Sequence, residues 1–318
     1  MRIAITGATG MIGSALLPVV LGLPDVEVVA LSHRHSSSYP RHSNLSWIVG
    51  DLQDLEVCRK IAAGCDILIH LAHSSVPLST ASNWVDQSLG SLRASLNLLQ
   101  ALSESDSRRV PKVIMISSGG TVYRPKTPCA PFLETDPCEP SSVYGIEKLS
   151  IELHLRLLAQ QGKVRAIVLR VANAYGKLLP SSRRQGLIGT SLSQALAGKD
   201  IRVIGSLSNV RDYIYLDDVC DAIAKSVIYD SDYEVFNIGT GIGYSVSDVL
   251  DHLEQFLGRA LRLINEPQQT VTLPAYSVLN IEKADRLMGW KPQISLQRGI
   301  RMTASSGVQL QENLQLIR

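Results

Sequence analysis

A short apolar run followed by closely spaced glycines opens the chain and restricts it to a small set of folds. Residues 3–5 predict a buried strand, glycines stand at positions 7, 10 and 13, and residues 11–21 carry apolar side chains at helical spacing. In such a strand–turn–helix unit, glycines permit a tight turn and let a pyrophosphate approach the helix N-terminus. We therefore expect the turn to bind a dinucleotide, through Gly7, Thr9, Gly10, Met11, Ile12 and Gly13.

The same strand signal recurs along the first half of the chain. The predicted strands cover residues 26–31, 46–49, 66–71, 110–117 and 164–171, and helical segments separate most of them. Strands that are apolar on both faces and alternate with helices form a parallel sheet covered on both sides. We predict an α/β fold, a doubly wound sheet of the Rossmann type with its ligand at the carboxyl ends of the strands.

The pattern becomes less regular after residue 172, which predicts a change of architecture. We assign 1–172 to a dinucleotide-binding domain and 173–318 mainly to a smaller substrate-binding lobe, with segments near 205–240 returning to the first domain. In this lobe the sequence predicts helices over 187–197 and 247–257 and short strands near 201 and 235.

Composition favours a small-molecule partner in a reducing compartment. A net charge of +2 and the lack of a basic stripe with interleaved aromatics argue against nucleic acid. The five cysteines are odd in number and lack the paired spacing of a zinc site, so we predict reduced thiols and no metal. No segment approaches the roughly 20 apolar residues that span a bilayer. We expect a soluble, cytoplasmic protein without membrane contact.

Tyr144 and Lys148 are spaced so that a helix would place them on one face. An ammonium beside a phenol favours the ionised phenol, which can then exchange a proton with a sugar hydroxyl. On its own the spacing is equally compatible with a packed tyrosine next to a solvated lysine.

The glycine turn together with Tyr144 and Lys148 resembles the extended short-chain dehydrogenase/reductase family. Within it, the closest resemblance is to NAD(P)-dependent nucleotide-sugar epimerases and dehydratases, in particular enzymes like UDP-galactose 4-epimerase. Further matches run along nearly the whole chain: Gly50-Asp51-Leu52, His70-Leu71-Ala72, Thr121-Val122-Tyr123, Arg170-Val171-Ala172-Asn173, Arg211-Asp212-Tyr213-Ile214 and Gly289-Trp290-Lys291-Pro292.

The resemblance implies roles for several of these residues. Tyr144 would be the general acid/base, and Lys148 would hold the nicotinamide ribose and lower the pKa of the phenol. Asp51 and Leu52 would contact adenine, although Asp51 is equally compatible with a loop or cap residue. Leu71 and Ala72 would line the path of the pyrophosphate and ribose.

The third catalytic residue departs from the family pattern. Gly119 stands where a serine or threonine usually orients the substrate hydroxyl, and glycine has no side-chain hydrogen bond to offer. Thr121 lies two residues further on and would face the same side of an extended segment, so we prefer it as the substitute. Ser118 is the second choice. Ser91 is another departure, since many relatives have a cofactor-contacting asparagine there.

Resemblance also implies a nucleotide-diphosphate sugar as substrate. Asn173 would meet the sugar, and Arg211 would grip the diphosphate, unless Arg211 instead pairs with Asp212 or Asp217. The second phosphate arginine of the family is replaced by Gln268-Gln269-Thr270, so neutral donors, or Arg183 or Arg184, would bind the second phosphate.

The residues that close the second strand bear on the choice between NAD and NADP. Relatives that prefer NAD usually have an acid there, whereas this chain has Ser32, His33 and Arg34. Without a carboxylate to repel a 2'-phosphate, the three side chains could donate to one, which favours NADP. The alternative is that Arg34 is simply a solvated loop cation.

The implied activity is nucleotide-sugar 4-epimerisation, by transient oxidation at C4, in the synthesis of cell-surface polysaccharide precursors. Dehydration is disfavoured because Gly120 and Thr121 replace the Asp-Glu pair that dehydratases use. The alternatives are an NADPH-dependent reductase of nucleotide-linked 4-keto sugars and a dinucleotide-binding protein without turnover. Relatives commonly form homodimers through the helix that holds Tyr144 and the long helix before it, here near 89–102.

Overall fold

A seven-stranded parallel sheet forms the centre of the protein, as a computed structural model shows. The structure describes residues 1–34, 39–74, 83–105, 109–179, 186–266 and 274–315, with side chains up to residue 305. The strand order is β10-β6-β5-β4-β1-β2-β3, and every neighbouring pair is parallel. Its strands are β1 (Arg2–Thr6), β2 (Glu27–Ser32), β3 (Leu45–Val49), β4 (Ile67–His70), β5 (Lys112–Ser118), β6 (Arg165–Val171) and β10 (Tyr233–Ile238).

Helices cover both faces of this sheet because its strands are apolar on both sides. On one face lie α1 (Met11–Leu21) and α6 (Leu216–Ile228), which share a buried core with the sheet. On the other face lie α2 (Leu55–Ala62), α3 (Trp84–Ser103) and α4 (Val143–Gln160). The doubly wound fold is thus confirmed, and the helix predicted over 11–21 has the observed bounds.

A second, smaller core lies beyond β6. Its sheet joins β7 (Asn173–Tyr175), β9 (Val210–Tyr215), β11 (Gly243–Ser245) and β13 (Tyr276–Ser277), and β8 (Ile201–Ile204) pairs with β12 (Leu263–Glu266). Around these strands pack α5 (Leu187–Leu196), α7 (Val246–Leu257) and α9 (Leu296–Gln315), whereas α8 (Glu282–Met288) packs on β10. Because β10 is a strand of the central sheet and α6 packs on that sheet, the chain crosses back to it. The division into two domains remains a prediction.

In the described residues, no helix is both long enough and apolar enough to cross a membrane.

Candidate active site

The glycine turn brings the ends of β1 and β4 together. Gly7 has a φ of +69°, and a Cβ atom on it would lie 2.7 Å from the amide nitrogen of Ala72. A Cβ on Gly13 would collide with the carbonyl oxygen of Gly7, so α1 packs directly on the turn. On the other side, the amide of Leu71 donates to the Thr6 carbonyl at 3.2 Å. The glycines are thus required by close backbone approach.

The first turn of α1 has the properties of an anion site. Gly10 is the N-cap, it makes no side-chain capping bond, and no acidic residue follows in the first turn. Thr9 and Gly10 are exposed, and Met11 and Ile12 are partly buried. Free amide groups at a helix N-terminus attract negative charge, so these residues fit the pyrophosphate of a dinucleotide.

The loop after β2 uses one of its three predicted donors internally. Ser32 is buried, and its hydroxyl bonds to the Tyr39 hydroxyl and, at 3.0 Å, to the Arg34 carbonyl. The ring of Tyr39 stacks on Trp47 with 4.5 Å between centroids. His33 and Arg34 are exposed, so their side chains are the ones free to meet a ligand at this edge.

Asp51 and Leu52 lie at the end of β3, next to this loop. The amide of Gly50 donates to the Ser32 carbonyl at 2.9 Å, which fixes the two strand ends side by side. Leu52 is buried, and exposed Asp51 accepts a 2.9 Å bond from the amide of Gln53. Asp51 therefore shapes its own loop as well as facing solvent.

Tyr144 and Lys148 lie in the first two turns of α4, as predicted. Ser142 caps the helix by accepting a 3.1 Å bond from the amide of Gly145. A Cβ on Gly145 would be 2.5 Å from the Thr121 carbonyl oxygen, so glycine lets the helix start directly against the β5 loop. Lys148 donates to the Ile116 carbonyl at 2.9 Å, and its Nζ lies 5.6 Å from the centroid of the Tyr144 ring.

Ser118 is the hydroxyl that acts on Tyr144, because its side chain lowers the pKa of the phenol as a hydrogen-bonding group. The Thr121 hydroxyl is buried and has no hydrogen-bond partner in the described part of the chain. At Gly119, a Cβ would lie 2.5 Å from a methyl carbon of Leu279 and 3.1 Å from the Arg170 carbonyl oxygen, so a side chain there would require Leu279 to move. Glycine at this position thus allows Leu279 to pack closely on the backbone.

Burial dominates the electrostatics of this pair. Burial, followed by the charge of Glu147, raises the pKa of Tyr144, whereas the hydrogen bond from Ser118 lowers it. Burial lowers the pKa of Lys148 to about 8, against the raising effects of Glu147 and Glu152. In the protein alone, the phenol is therefore held neutral rather than ionised at neutral pH.

Two residues that the sequence analysis missed complete the cluster. His73, just after β4, contacts the Glu147 carboxylate through Nε2 at 2.8 Å, and the two side chains are 6% and 0% exposed. The His73 ring also meets the Tyr144 ring edge-on, at 5.1 Å between centroids, and lies 3.3 Å from the Ser91 hydroxyl. The sequence signal for Glu147 was its spacing. It lies three residues after Tyr144, so on a helix it shares the buried face with that tyrosine.

Arg211, in β9, is a partly buried cation. Its Nη1 donates to the Val210 carbonyl at 2.8 Å, and burial lowers its pKa. In the described residues no carboxylate pairs with it. The neighbouring Asp212 is instead bound by Thr240, Gly241 and the amide of Leu279. The alternative of an ion pair with Asp212 or Asp217 is therefore not observed.

Asn173 lies beside this strand, exposed, with its side-chain amide donating to the Asp212 carbonyl at 3.0 Å. Arg183, Arg184 and residues 268–270 lie outside the described residues.

The comparisons with known proteins agree with this arrangement. The chain is 29% identical over 306 residues to the dTDP-4-dehydro-6-deoxyglucose reductase of Escherichia coli, covering 94% of this chain and 95% of that one. Among solved structures it resembles the UDP-glucose 4-epimerase of Thermotoga maritima with UDP-glucose, with a TM-score of 0.87, 27% identity and coverage of 98% and 99%.

A second solved structure is the UDP-glucose 4-epimerase of Thermus thermophilus in complex with NAD, with a TM-score of 0.84, 25% identity and coverage of 96% and 98%. The profile of the family described as NAD dependent epimerase/dehydratase matches residues 3–239, which is well over half of the chain. The protein therefore belongs to the NAD dependent epimerase/dehydratase family.

Proposed function

We propose that the protein is a nucleotide-sugar 4-epimerase that serves the synthesis of polysaccharide precursors. The observation that carries this proposal is the cluster of Tyr144, Lys148 and the Ser118 hydroxyl on one side of the glycine turn. Family membership and the 4-epimerases among its relatives support the same activity.

In this proposal the chain's own groups manage the proton at the sugar oxygen. Tyr144 takes the proton of the 4-hydroxyl and later returns it, and Ser118 hydrogen-bonds to both the phenol and the sugar oxygen. Lys148 supplies the positive charge that stabilises the phenolate. A nicotinamide bound here would supply reversible hydride exchange with C4, and inversion at C4 would require the 4-keto sugar to turn before the hydride returns. No net redox change results, because the same hydride returns to the same sugar.

Arg211 is our choice for the diphosphate. The Arg211 guanidinium is partly buried and has no carboxylate partner among the described residues, so it lacks the neutralising charge that a bound diphosphate would bring. Asn173 would contact the sugar. We propose Arg183 for the second phosphate on sequence grounds alone.

For the cofactor we propose that Gly7 to Gly13 hold the pyrophosphate, with Leu71 and Ala72 beside it and Asp51 and Leu52 at the adenine. His33 and Arg34 are exposed and have no acid beside them in the chain, which supports acceptance of a 2'-phosphate and hence of NADP. Ser32 is not among the proposed donors, since its hydroxyl is bound within the loop.

The same loop favours one second candidate, a reductase of nucleotide-linked 4-keto sugars that uses NADPH. The resemblance to a dTDP-4-dehydro-6-deoxyglucose reductase supports it as well. Both candidates use the same Tyr144 chemistry and differ in whether the cofactor is regenerated within one catalytic cycle or is oxidised and exchanged after each turnover.

Purified protein separates the two. We expect UDP-glucose and UDP-galactose to interconvert without added reductant, and Tyr144→Phe to abolish the reaction. Stoichiometric oxidation of NADPH by a 4-keto sugar, without interconversion of UDP-sugars, would replace the epimerase with the reductase. Mass spectrometry of the copurified dinucleotide tests the preference for NADP.

We further propose a cytoplasmic homodimer. All five cysteines are free, which suits a reducing compartment. Helices α3 and α4 pack side by side and expose apolar side chains to solvent: Trp84, Val85, Leu89, Ile146, Leu153 and Leu157. A second copy packed on this surface would bury them in a four-helix bundle.

A further inference from the structure

Glu147 is a buried carboxylate in a place where the fold does not need one. It lies on α4 directly before Lys148 and three residues after Tyr144, and none of its surface is exposed. Burying a carboxylate is unfavourable even when it is paired, and an uncharged side chain of similar size is often equally stable in such a position. A role in stability alone therefore does not account for Glu147.

His73, the partner of Glu147, also contacts Tyr144. His73 contacts the carboxylate at 2.8 Å, and the edge of its ring meets the ring of Tyr144. Ser91 contacts His73 from α3. The His73 imidazole thus contacts the Glu147 carboxylate, the Ser91 hydroxyl and the ring of Tyr144.

We propose that Glu147 and His73 are positioning residues for Tyr144 and Lys148, in which the Glu147 carboxylate keeps Lys148 charged and holds the His73 ring against Tyr144. This inference rests on the proposed acid/base role of Tyr144. Glu147 and His73 themselves touch neither substrate nor cofactor in the proposal.

The charges around the pair favour this reading. Lys148 is faced by Glu147 and Glu152 from its own helix and by His70 and His73 from the end of β4. Burial, then the charge of Lys148, lowers the pKa of His73 to about 4 and that of His70 to about 3. Both histidines are therefore neutral at pH 7, and His73 donates its Nε2 proton to Glu147 as a neutral ring.

Glu147→Gln tests the electrostatic part, because it keeps the shape and an acceptor for His73 but removes the charge. Without that charge, Tyr144 ionises and Lys148 loses its proton at lower pH. We expect the whole pH profile of kcat for UDP-sugar epimerisation to move to lower pH by about one unit. A profile that superimposes on that of the unmodified enzyme would overturn the proposal.

Two variants serve as controls. Glu147→Asp keeps the charge and is expected to restore the original pH profile even if kcat is lower. Glu152→Gln removes another buried carboxylate from the same helix, one that binds Arg170. It is expected to lower the melting temperature while moving the profile less than Glu147→Gln does. An equal shift in both Gln variants would refute a specific role for Glu147.

His73→Phe tests the positioning part, since it keeps an aromatic edge but cannot donate to Glu147. We expect kcat to fall by about tenfold or more with the KM of the UDP-sugar unchanged, because the group acts on Tyr144 and not on substrate binding. Unchanged kcat, or a loss confined to KM, would contradict this role.

A measurement without substrate keeps the inference separate from the proposed function. With tyrosine labelled by 13C at Cζ, the Tyr144 resonance is identified by its loss in Tyr144→Phe. It should begin to titrate about one pH unit lower in Glu147→Gln than in the unmodified protein. If no nucleotide sugar is turned over but this shift appears, the proposed function fails while the coupling of Glu147 to Tyr144 holds. Identical titrations would refute the coupling itself.

Discussion

Replacing Ser118 and Thr121 separately decides which hydroxyl serves Tyr144. Ser118 lowers the pKa of the phenol, whereas the Thr121 hydroxyl is buried without a partner in the described residues. A hydrogen bond to a charged group contributes about 1.5–3 kcal/mol. If that bond is made to the phenolate and the sugar oxygen in the transition state, Ser118→Ala lowers kcat by about 10- to 150-fold.

Thr121→Val is the matched control, since it removes a hydroxyl with almost no change of shape. A buried hydroxyl without a partner costs about 1–3 kcal/mol, so the free energy of unfolding should stay the same or rise. We expect kcat to remain within about twofold of the original value.

The assay is the initial rate of UDP-glucose and UDP-galactose interconversion at saturating substrate. Bound cofactor is measured in each variant by absorbance, so that a lost cofactor is not mistaken for a lost hydroxyl. The reasoning is refuted if Thr121→Val loses activity while Ser118→Ala retains it. A double variant with Tyr144→Phe adds a further check, because two groups that act as one unit give non-additive losses.

Three further predictions follow from single sites. Arg211→Ala should weaken UDP binding, measured by calorimetry, by at least tenfold, with partial recovery in Arg211→Lys; unchanged affinity would remove it from the phosphate site. Burial lowers the pKa of His70 to about 3, whereas the unfolded residue titrates near 6.5, so its contribution to stability is present above pH 6.5 and lost as pH falls towards 3. Denaturation curves between pH 7 and pH 4 should show a shallower decline for His70→Gln, by up to about 1.4 kcal/mol per pH unit; equal slopes would contradict it. Leu89→Asp together with Leu153→Asp should convert a dimer to a monomer in light scattering, and an unchanged mass would place the interface elsewhere.

The central sheet could be predicted from sequence because its strands are buried on both faces. The predicted strand over 164–171 matches β6, Arg165–Val171, and that over 110–117 matches β5, Lys112–Ser118, to within a few residues. Continuous apolar runs of this kind carry their signal locally. In contrast, β7 and β13 are three and two residues long and pair with β9 far along the chain. No local pattern marks strands that depend on such distant partners.

The preference for Thr121 over Ser118 rests on a backbone assumption that the structure does not bear out, although which hydroxyl serves Tyr144 stays a prediction. It assumed an extended segment, in which Gly119 and Thr121 face the same side. The strand β5 ends at Ser118, and the amides of Thr121 and Val122 both return to the Ser118 carbonyl, at 3.4 Å and 3.3 Å. Alternation stops where the strand stops, so the two-residue rule no longer applies. Likewise, His73 and Glu147 are distant in sequence and meet only because β4 and α4 converge at the same sheet edge.

The choice between epimerase and reductase does not depend on the groups around Tyr144. In both proposed reactions, Ser118, Tyr144 and Lys148 would move a proton at the sugar oxygen, so both place the same demand on them. An epimerase must keep the reduced cofactor until the keto sugar has turned, whereas a reductase must release the oxidised cofactor after each turnover and bind a new reduced one. How long the cofactor is retained depends on how tightly the chain binds the dinucleotide, and the loop after β2 belongs to that proposed binding site. There Ser32, Tyr39 and the Arg34 carbonyl are hydrogen-bonded to each other, leaving the Arg34 side chain exposed at the edge of the proposed adenine site. We therefore expect residues of β2 and its loop, remote in sequence from α4, to decide between the two proposed reactions.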